Sequence, residues 1–243
     1  MKSYLDKQRQ FWNVDPITSR FGRVDTVSAD EVEYDRLAET HFEQICSGVE
    51  LRDSSTILEI GCGVGRLLSR MQRLPHAQLI GVYISSNMID LSQKNLLRDS
   101  RLRLFVNSGA DLPMIASESV DFCYANDVFI HIADVGVVVS YFEEVARILK
   151  QDGLFRFNVR ELDVSRMFSN SLGGLAAKAS YLLGLRSGVH QYSSGNEGFS
   201  GLKFRRRELI GVARAAGLIA HRISSDADPS GGRFFWCDCS TRS

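Results

Sequence analysis

The stretch from Thr56 to Leu68, TILEIGCGVGRLL, constrains the fold more than any other part of the chain. Thr56-Ile57-Leu58-Glu59-Ile60 is short, mostly apolar and β-branched, which suits one buried strand. Gly61-Cys62-Gly63-Val64-Gly65 follows at once, and Arg66 to Met71 then reads as helix. A strand that enters a helix through alternating glycines makes a turn suited to a cofactor. Glycine tolerates φ > 0 and lets a ligand lie against bare backbone. A helix N-terminus adds unpaired N–H groups and a positive dipole end, which favour a carboxylate or a phosphate.

The glycine spacing separates two kinds of cofactor turn. The dinucleotide fingerprint is G-x-G-x-x-G, with an acid about twenty residues further on. Here the third glycine comes one residue early, and Arg66 occupies the position the fingerprint needs. A nicotinamide-dependent dehydrogenase therefore fails on glycine spacing and on the missing acid together.

Strand and helix patterns alternate after the turn. Strands are predicted over Gln78–Ile84, Leu102–Val106, Val120–Ala125 and Leu154–Val159. Helices are predicted over Ser86–Leu97, with Ser85 or Ser86 as N-cap, and over Asp134–Lys150, stopped at Gly153. Such alternation implies βαβ units and a parallel sheet covered on both faces. Ligands then bind outside the strand C-termini, near the switch in strand order.

Residues 1–50 read as a polar helical segment, with Val32, Leu37, His41, Phe42 and Ile45 at helical spacing and Phe11 and Trp12 ahead of them. Such a segment packs on the sheet edge or covers the cofactor mouth. Residues 51–243 form the main domain, interrupted at about 160–204 by a stretch rich in Gly and Ser. Leu172 to Leu183 recur there at helical spacing, and His190, Gln191 and Tyr192 follow. This insertion reads as a lid or substrate wall. Arg205–Ala216 returns to helix, and Leu218–Ser224 and Arg233–Cys239 form a terminal antiparallel pair.

Formal net charge is zero, so nothing global steers the chain to nucleic acid or to an acidic membrane. The run Lys203, Arg205, Arg206, Arg207 is a solvated helix start or meets a carboxylate or phosphate on a substrate; no aromatic platform accompanies it, as nucleic acid would require. No apolar run approaches the roughly 18 residues of a membrane span, and Met1 to Trp12 lacks the apolar core of a signal peptide. Five scattered cysteines, with Cys237 and Cys239 alternating on a strand, read as reduced thiols in a cytoplasmic protein, with no metal site.

Four stretches in order, ILEIGCGVGRLL, LIGVYISSNMIDLSQ, SGADLPMIASESVDFCYANDVFIHI and FEEVARILKQDGLFRFNV, closely resemble the class I S-adenosylmethionine (SAM) dependent methyltransferases of the small-molecule sort. The resemblance runs from about Thr56 to Val159. It implies a Rossmann-like, seven-stranded, mostly parallel α/β sheet with an antiparallel last strand. It also implies SAM as cofactor. Backbone at Gly61, Cys62 and Gly63 would approach the amino-acid half of SAM, Glu59 would order the turn or meet its ammonium, and Gly65 would let the helix pack closely. Ile84 and Met88 would pack near the adenine, Gly109 and Ala110 would contact it through backbone, and Asp111 is either its acceptor or a loop cap. Asn126 would touch SAM, its backbone carbonyl being the candidate contact. Asp127 and His131 are the candidates for catalysis, each set against a plain packing role.

The chain departs from the family at two places. The acid that relatives often carry early in the loop after the third strand lies late here, at Asp111, and the main departure is at the end of the second strand. The acid expected at the end of the second strand, bonded to both ribose hydroxyls, is Tyr83 here. A phenol offers one hydrogen bond, not the bidentate acceptor of a carboxylate. The resulting expectation is a cytoplasmic methyltransferase acting on oxygen or nitrogen of a small, partly hydrophobic or anionic acceptor. The alternative is a degenerate SAM-binding or scaffold protein without turnover.

Overall fold

The computed structural model describes residues 2–13, 31–162, 190–192, 200–227 and 232–241. The β-branched run after Ser55 forms β1 (Thr56–Ile60), and the strands expected after it follow as β2 (Gln78–Tyr83), β3 (Leu102–Val106) and β4 (Val120–Ala125). β5 (Leu149–Glu161) starts earlier than its apolar core suggests. β6 (His190–Tyr192), β7 (Gly201–Phe204), β8 (Leu218–Ala227) and β9 (Arg233–Thr241) complete one nine-stranded sheet among the described residues. Its order is β3-β2-β1-β4-β5, with β1 to β5 parallel, then β9 antiparallel to β5, and β8 antiparallel to β9. Those seven strands are the expected sheet. β6 and β7 add an antiparallel pair, joined to β5 at Arg160↔Lys203. The end of the expected lid is therefore strand. Residues 163–189 and 193–199, which carry the Leu172 to Leu183 stripe, lie outside the described residues.

Helices cover both faces: α1 (Lys2–Trp12), α2 (Glu31–Cys46), α3 (Leu68–Met71), α4 (Ser86–Asn95), α5 (Val135–Ile148) and α6 (Arg206–Ala215). Alternation along β4 shows how two cores arise from one strand. Cys123 and Ala125 join Phe129, Phe142, Phe155 and Phe157 beneath α5 and α6. Phe122 and Tyr124 point the other way, to Ile45, Leu68, Met71, Leu79 and Trp236 beneath α2, α3 and α4. Ser85 is the N-cap of α4, its Oγ accepting from the Met88 N–H at 3.3 Å. No helix among the described residues is long and apolar enough to cross a membrane.

The helix after the glycine turn differs from expectation. α3 spans only four residues and begins at Leu68, not Arg66. So short a helix carries little macrodipole. Three of the turn's own amides are also engaged within the protein. Gly61 and Cys62 both donate to the Val82 carbonyl, at 2.8 and 3.1 Å, and Gly65 donates to the Cys62 carbonyl at 2.9 Å. These three amides are not available to an anion, so the expected cradle is narrower than the glycine spacing suggests. What the turn offers a ligand is bare backbone and close approach.

Candidate active site

The order of the sheet reverses at β1, which has β2 on one side and β4 on the other. A pocket opens at the C-terminal ends of these strands, lined by Glu59, Gly61, Cys62, Gly63, Tyr83, Ile84, Asn107, Gly109, Asn126, Asp127 and His131. All of these except Asn107, ten residues, are site residues expected from sequence, and the pocket brings them together.

The turn itself approaches so closely that only glycine fits. Gly61 has φ +81, and a Cβ there would lie 2.2 Å from Val128 Cγ2. Gly65, at φ +86, lies off the pocket; a Cβ there would meet Ser92 Oγ at 2.7 Å, so the close packing it permits is against α4. Beneath the turn, Glu59 is 3% exposed. The Tyr124 hydroxyl donates to its Oε2 at 2.9 Å, and the Leu68 N–H also bonds it. Glu59 thus ties β1 to the start of α3. Burial raises its pKa to about 7, opposed by Tyr124 and by the Arg66 charge. The Cys62 thiol is held neutral by burial, which pushes its pKa well up.

The second wall comes from the ends of β2 and β3. Tyr83 stays a neutral phenol, since burial raises its pKa. Gly109, at φ +94, lies against Ile84, whose Cδ1 would be 2.5 Å from an added Cβ. Asn107 is 5% exposed. Its Nδ2 donates to the Tyr141 hydroxyl at 2.8 Å and to the Asp111 carbonyl at 3.4 Å. Met88 and Ala110 are buried but lie off the pocket lining. Asp111 is exposed and also off the lining, its Oδ1 accepting from Ser108 Oγ at 2.6 Å, which is the loop-cap alternative.

The third wall is polar. Asp127, at the end of β4, has φ +56, a conformation rare for a non-glycine residue. Asn158 of β5 clasps it twice: Asn158 Nδ2 donates to Asp127 Oδ1 at 2.6 Å, and the Asp127 N–H donates to Asn158 Oδ1 at 2.7 Å. Asn126 Nδ2 donates to Asp127 Oδ2 at 3.0 Å and lies 3.3 Å from His41 Nδ1, which in turn is 3.3 Å from Arg66 Nη2. His131 packs, half-buried, against Trp12, ring centroids 5.4 Å apart. Burial lowers its pKa to about 4, against the pull of Asp127 and with the push of Arg160. At neutral pH the ring is uncharged and a weak proton acceptor.

α1 closes the pocket with Tyr4, Leu5, Gln8 and Trp12. It is tied to three rim loops. Tyr4 accepts from the Ala133 N–H at 2.7 Å, Arg9 donates to the Ser108 carbonyl at 3.3 Å, and Asn13 accepts from Ser85 Oγ at 2.8 Å. The basic run divides: Arg206 and Arg207 are exposed, while the Arg205 N–H is capped by Glu208 at 3.0 Å. His190, Gln191 and Tyr192 form β6, and their side chains lie outside the described residues.

Sequence reasoning missed Asn107, Tyr141 and Asn158 as site residues, and gave Arg66 and His41 no role there. The one available signal was a polar residue ending each of two apolar strands, Asn107 after LRLFV and Asn158 in LFRFNV. Two buried carbonyl oxygens, Asn107 Oδ1 and Asn126 Oδ1, accept no hydrogen bond among the described residues. Both belong to pocket residues. Unsatisfied buried acceptors, a buried carboxylate and glycines that admit close contact suit a ligand with several donors, as SAM is.

Residues 58–157 match the family model described as a methyltransferase domain. This stretch is a class I methyltransferase domain. No curated protein sequence matches the chain significantly. Solved structures share the fold of the methyltransferase domain and its flanks. The 1,6-didemethyltoxoflavin-N1-methyltransferase of Burkholderia thailandensis, solved with its substrate and S-adenosylhomocysteine, is 16% identical, with TM-score 0.66 over 99% of this chain and 90% of that one. The geranyl diphosphate C-methyltransferase of Streptomyces coelicolor A3(2) is 15% identical, with TM-score 0.65 over 98% of both chains. The magnesium protoporphyrin IX methyltransferase of Synechocystis PCC 6803 is 14% identical, with TM-score 0.63 over 99% of this chain and 100% of that one.

Proposed function

We propose that this protein is a SAM-dependent methyltransferase that moves a methyl group to an oxygen or nitrogen of a small-molecule acceptor. One observation carries the reading: the glycine turn with Glu59 beneath it and the Asn126–Asp127 pair open onto the same pocket. Bound SAM supplies a methyl group already activated on a sulfonium. The chain then has to bind, orient and exclude water, which supplies most of the acceleration in such a transfer. Glu59 is the carboxylate nearest the turn, and its negative charge suits the cofactor's ammonium. α1 keeps water out through Leu5 and Trp12. Asp127, clasped by Asn158, orients a donor group on the acceptor. His131, with a pKa of about 4, favours an acceptor that needs no strong base. The apolar wall of Trp12, Ile132 and Val137 suits a partly hydrophobic acceptor, and Arg66 suits an anionic group on it. Isothermal titration with SAM and S-adenosylhomocysteine tests the reading. Both bind if it is right; no binding of either at millimolar concentration contradicts it.

Two observations favour a second reading, a SAM-binding protein without turnover: Tyr83 at the ribose position and the low basicity of His131. The affinity of Tyr83→Asp for SAM separates the two.

A further inference from the structure

We infer that Asn107 contacts the cofactor, its side-chain carbonyl accepting a hydrogen bond from a donor on the nucleoside half of SAM. The inference rests on the SAM reading above. Asn107 lines the pocket and is 5% exposed, yet its Oδ1 accepts nothing among the described residues. The amide orientation is fixed by chemistry. The Asp111 carbonyl can only accept, so the group facing it at 3.4 Å must be Nδ2, and Nδ2 also meets the Tyr141 hydroxyl at 2.8 Å. Oδ1 is therefore the free end of a side chain held at its other end. A buried carbonyl without a donor is costly, and a ligand that brings one recovers that cost.

Position narrows the donor. The Asn107 N–H bonds the Tyr83 carbonyl at 2.9 Å, so the two residues sit side by side where β2 and β3 end. β3 lies two strands from β1, about 10 Å across the sheet. A ligand ammonium near Glu59 of β1 cannot also reach Asn107. What remains on SAM is the neutral donors of the nucleoside, the two ribose hydroxyls and the adenine amino group. Ile84 and Gly109, which share this wall, supply the apolar contact that a nucleoside wants. Tyr83, beside Asn107, has one hydroxyl to offer and no carboxylate. Asn107 thus provides a second acceptor where the chain lacks an acid.

Calorimetric titration with S-adenosylhomocysteine, its 2′-deoxy and 3′-deoxy forms and S-inosylhomocysteine tests the contact and tells the ribose from the adenine donor. Wild type should bind one of the analogues roughly tenfold more weakly than the parent. Asn107→Leu should bind the parent roughly tenfold more weakly than wild type does and should no longer distinguish that analogue. Asn107→Asp, which keeps an acceptor, should keep the discrimination. A merely structural Asn107 would weaken all four ligands equally. Equal discrimination by wild type and a folded Asn107→Leu overturns the inference, as does wild type that binds all four alike. If Asn107→Leu does not fold, Asn107→Asp decides alone: lost discrimination in the folded variant overturns the inference. Wild type that binds none of the four overturns the SAM reading itself, a distinguishable result.

Discussion

The Tyr124 hydroxyl donates a 2.9 Å hydrogen bond to Glu59 Oε2, and the two residues are register partners on adjacent parallel strands. This bond sits directly beneath the glycine turn. It holds a carboxylate in the protein interior, where burial is the largest influence on its protonation. Arg66, Cys62 and Tyr124 are the ionisable groups that face it.

A pH dependence of stability follows. The Glu59 pKa rises from 4.5 to about 7 on folding. Between those values the folded protein holds a proton that the unfolded chain has lost. Stability therefore falls as pH rises from about 4.5 to about 7, then levels off, by a total of about 3 kcal/mol. Glu59→Gln should abolish this slope and melt higher than wild type at pH above about 7 in the absence of ligand. Melting temperatures across that range check it; an unchanged slope in Glu59→Gln contradicts it.

Gly61→Ala should damage both stability and cofactor binding. The new methyl would lie 2.2 Å from Val128 Cγ2 at a φ of +81. Strain and overlap together should cost about 2 kcal/mol or more. Adding Val128→Ala should relieve the overlap and leave the backbone strain. Partial recovery of the melting temperature in the double variant is the expected result, and full recovery or none contradicts this account.

Arg156 should be among the most sensitive positions outside the pocket. It is 3% exposed and bonds both oxygens of Asp238, at 2.7 and 2.8 Å. Its Nη1 also donates to the Ile45 and Ser47 carbonyls at the end of α2, at 2.7 and 2.8 Å. Arg156→Ala strands a carboxylate and two carbonyls, and should cost about 3–5 kcal/mol in denaturant unfolding. A loss below about 1 kcal/mol, the scale of an exposed pair, would show that this network is not what anchors α2.

Tyr83→Asp should distinguish a working site from a degenerate one. In a degenerate site the new carboxylate restores a lost ribose acceptor and SAM binds more tightly. In a site adapted to its phenol, packed near Cys62 and Tyr141, the substitution weakens SAM. Our reading of Asn107 as the second acceptor predicts the latter, measured by titration against wild type.

The sheet was legible because its strands are short, apolar and separated by glycines and caps. β1 and β2 carry their boundaries in their composition. β5 does not: Lys150-Gln151-Asp152-Gly153 reads as a helix stop and turn, yet it belongs to the strand, with register partner Val120↔Leu149 and a shift before Phe122. The local pattern was polar, and pairing with β4 decided the matter. α3 was overread for the opposite reason. Arg66 and Leu67 suit a helix, but the turn is held by Val82 and Glu59, and the helix is regular only from Leu68.

The glycine wall was visible as spacing, whereas the polar wall was not. His41 lies 85 residues from Asn126, and Asn158 lies 31 from Asp127, so no local pattern joins them. His41 read as part of a packing stripe because it occupies helical spacing. Asn107 read as the first residue of a loop; its burial depends on Tyr141, which lies 34 residues further on in α5.

The pocket above Gly61 to Gly63 should hold SAM. A crystal structure of the protein grown with saturating S-adenosylhomocysteine tests it most directly. The account predicts the ligand's amino-acid half over Gly61 to Gly63, with Glu59 beneath it, and a nucleoside donor within hydrogen-bonding distance of Asn107 Oδ1. Ligand bound elsewhere on the chain, or an empty pocket at saturation, would contradict it.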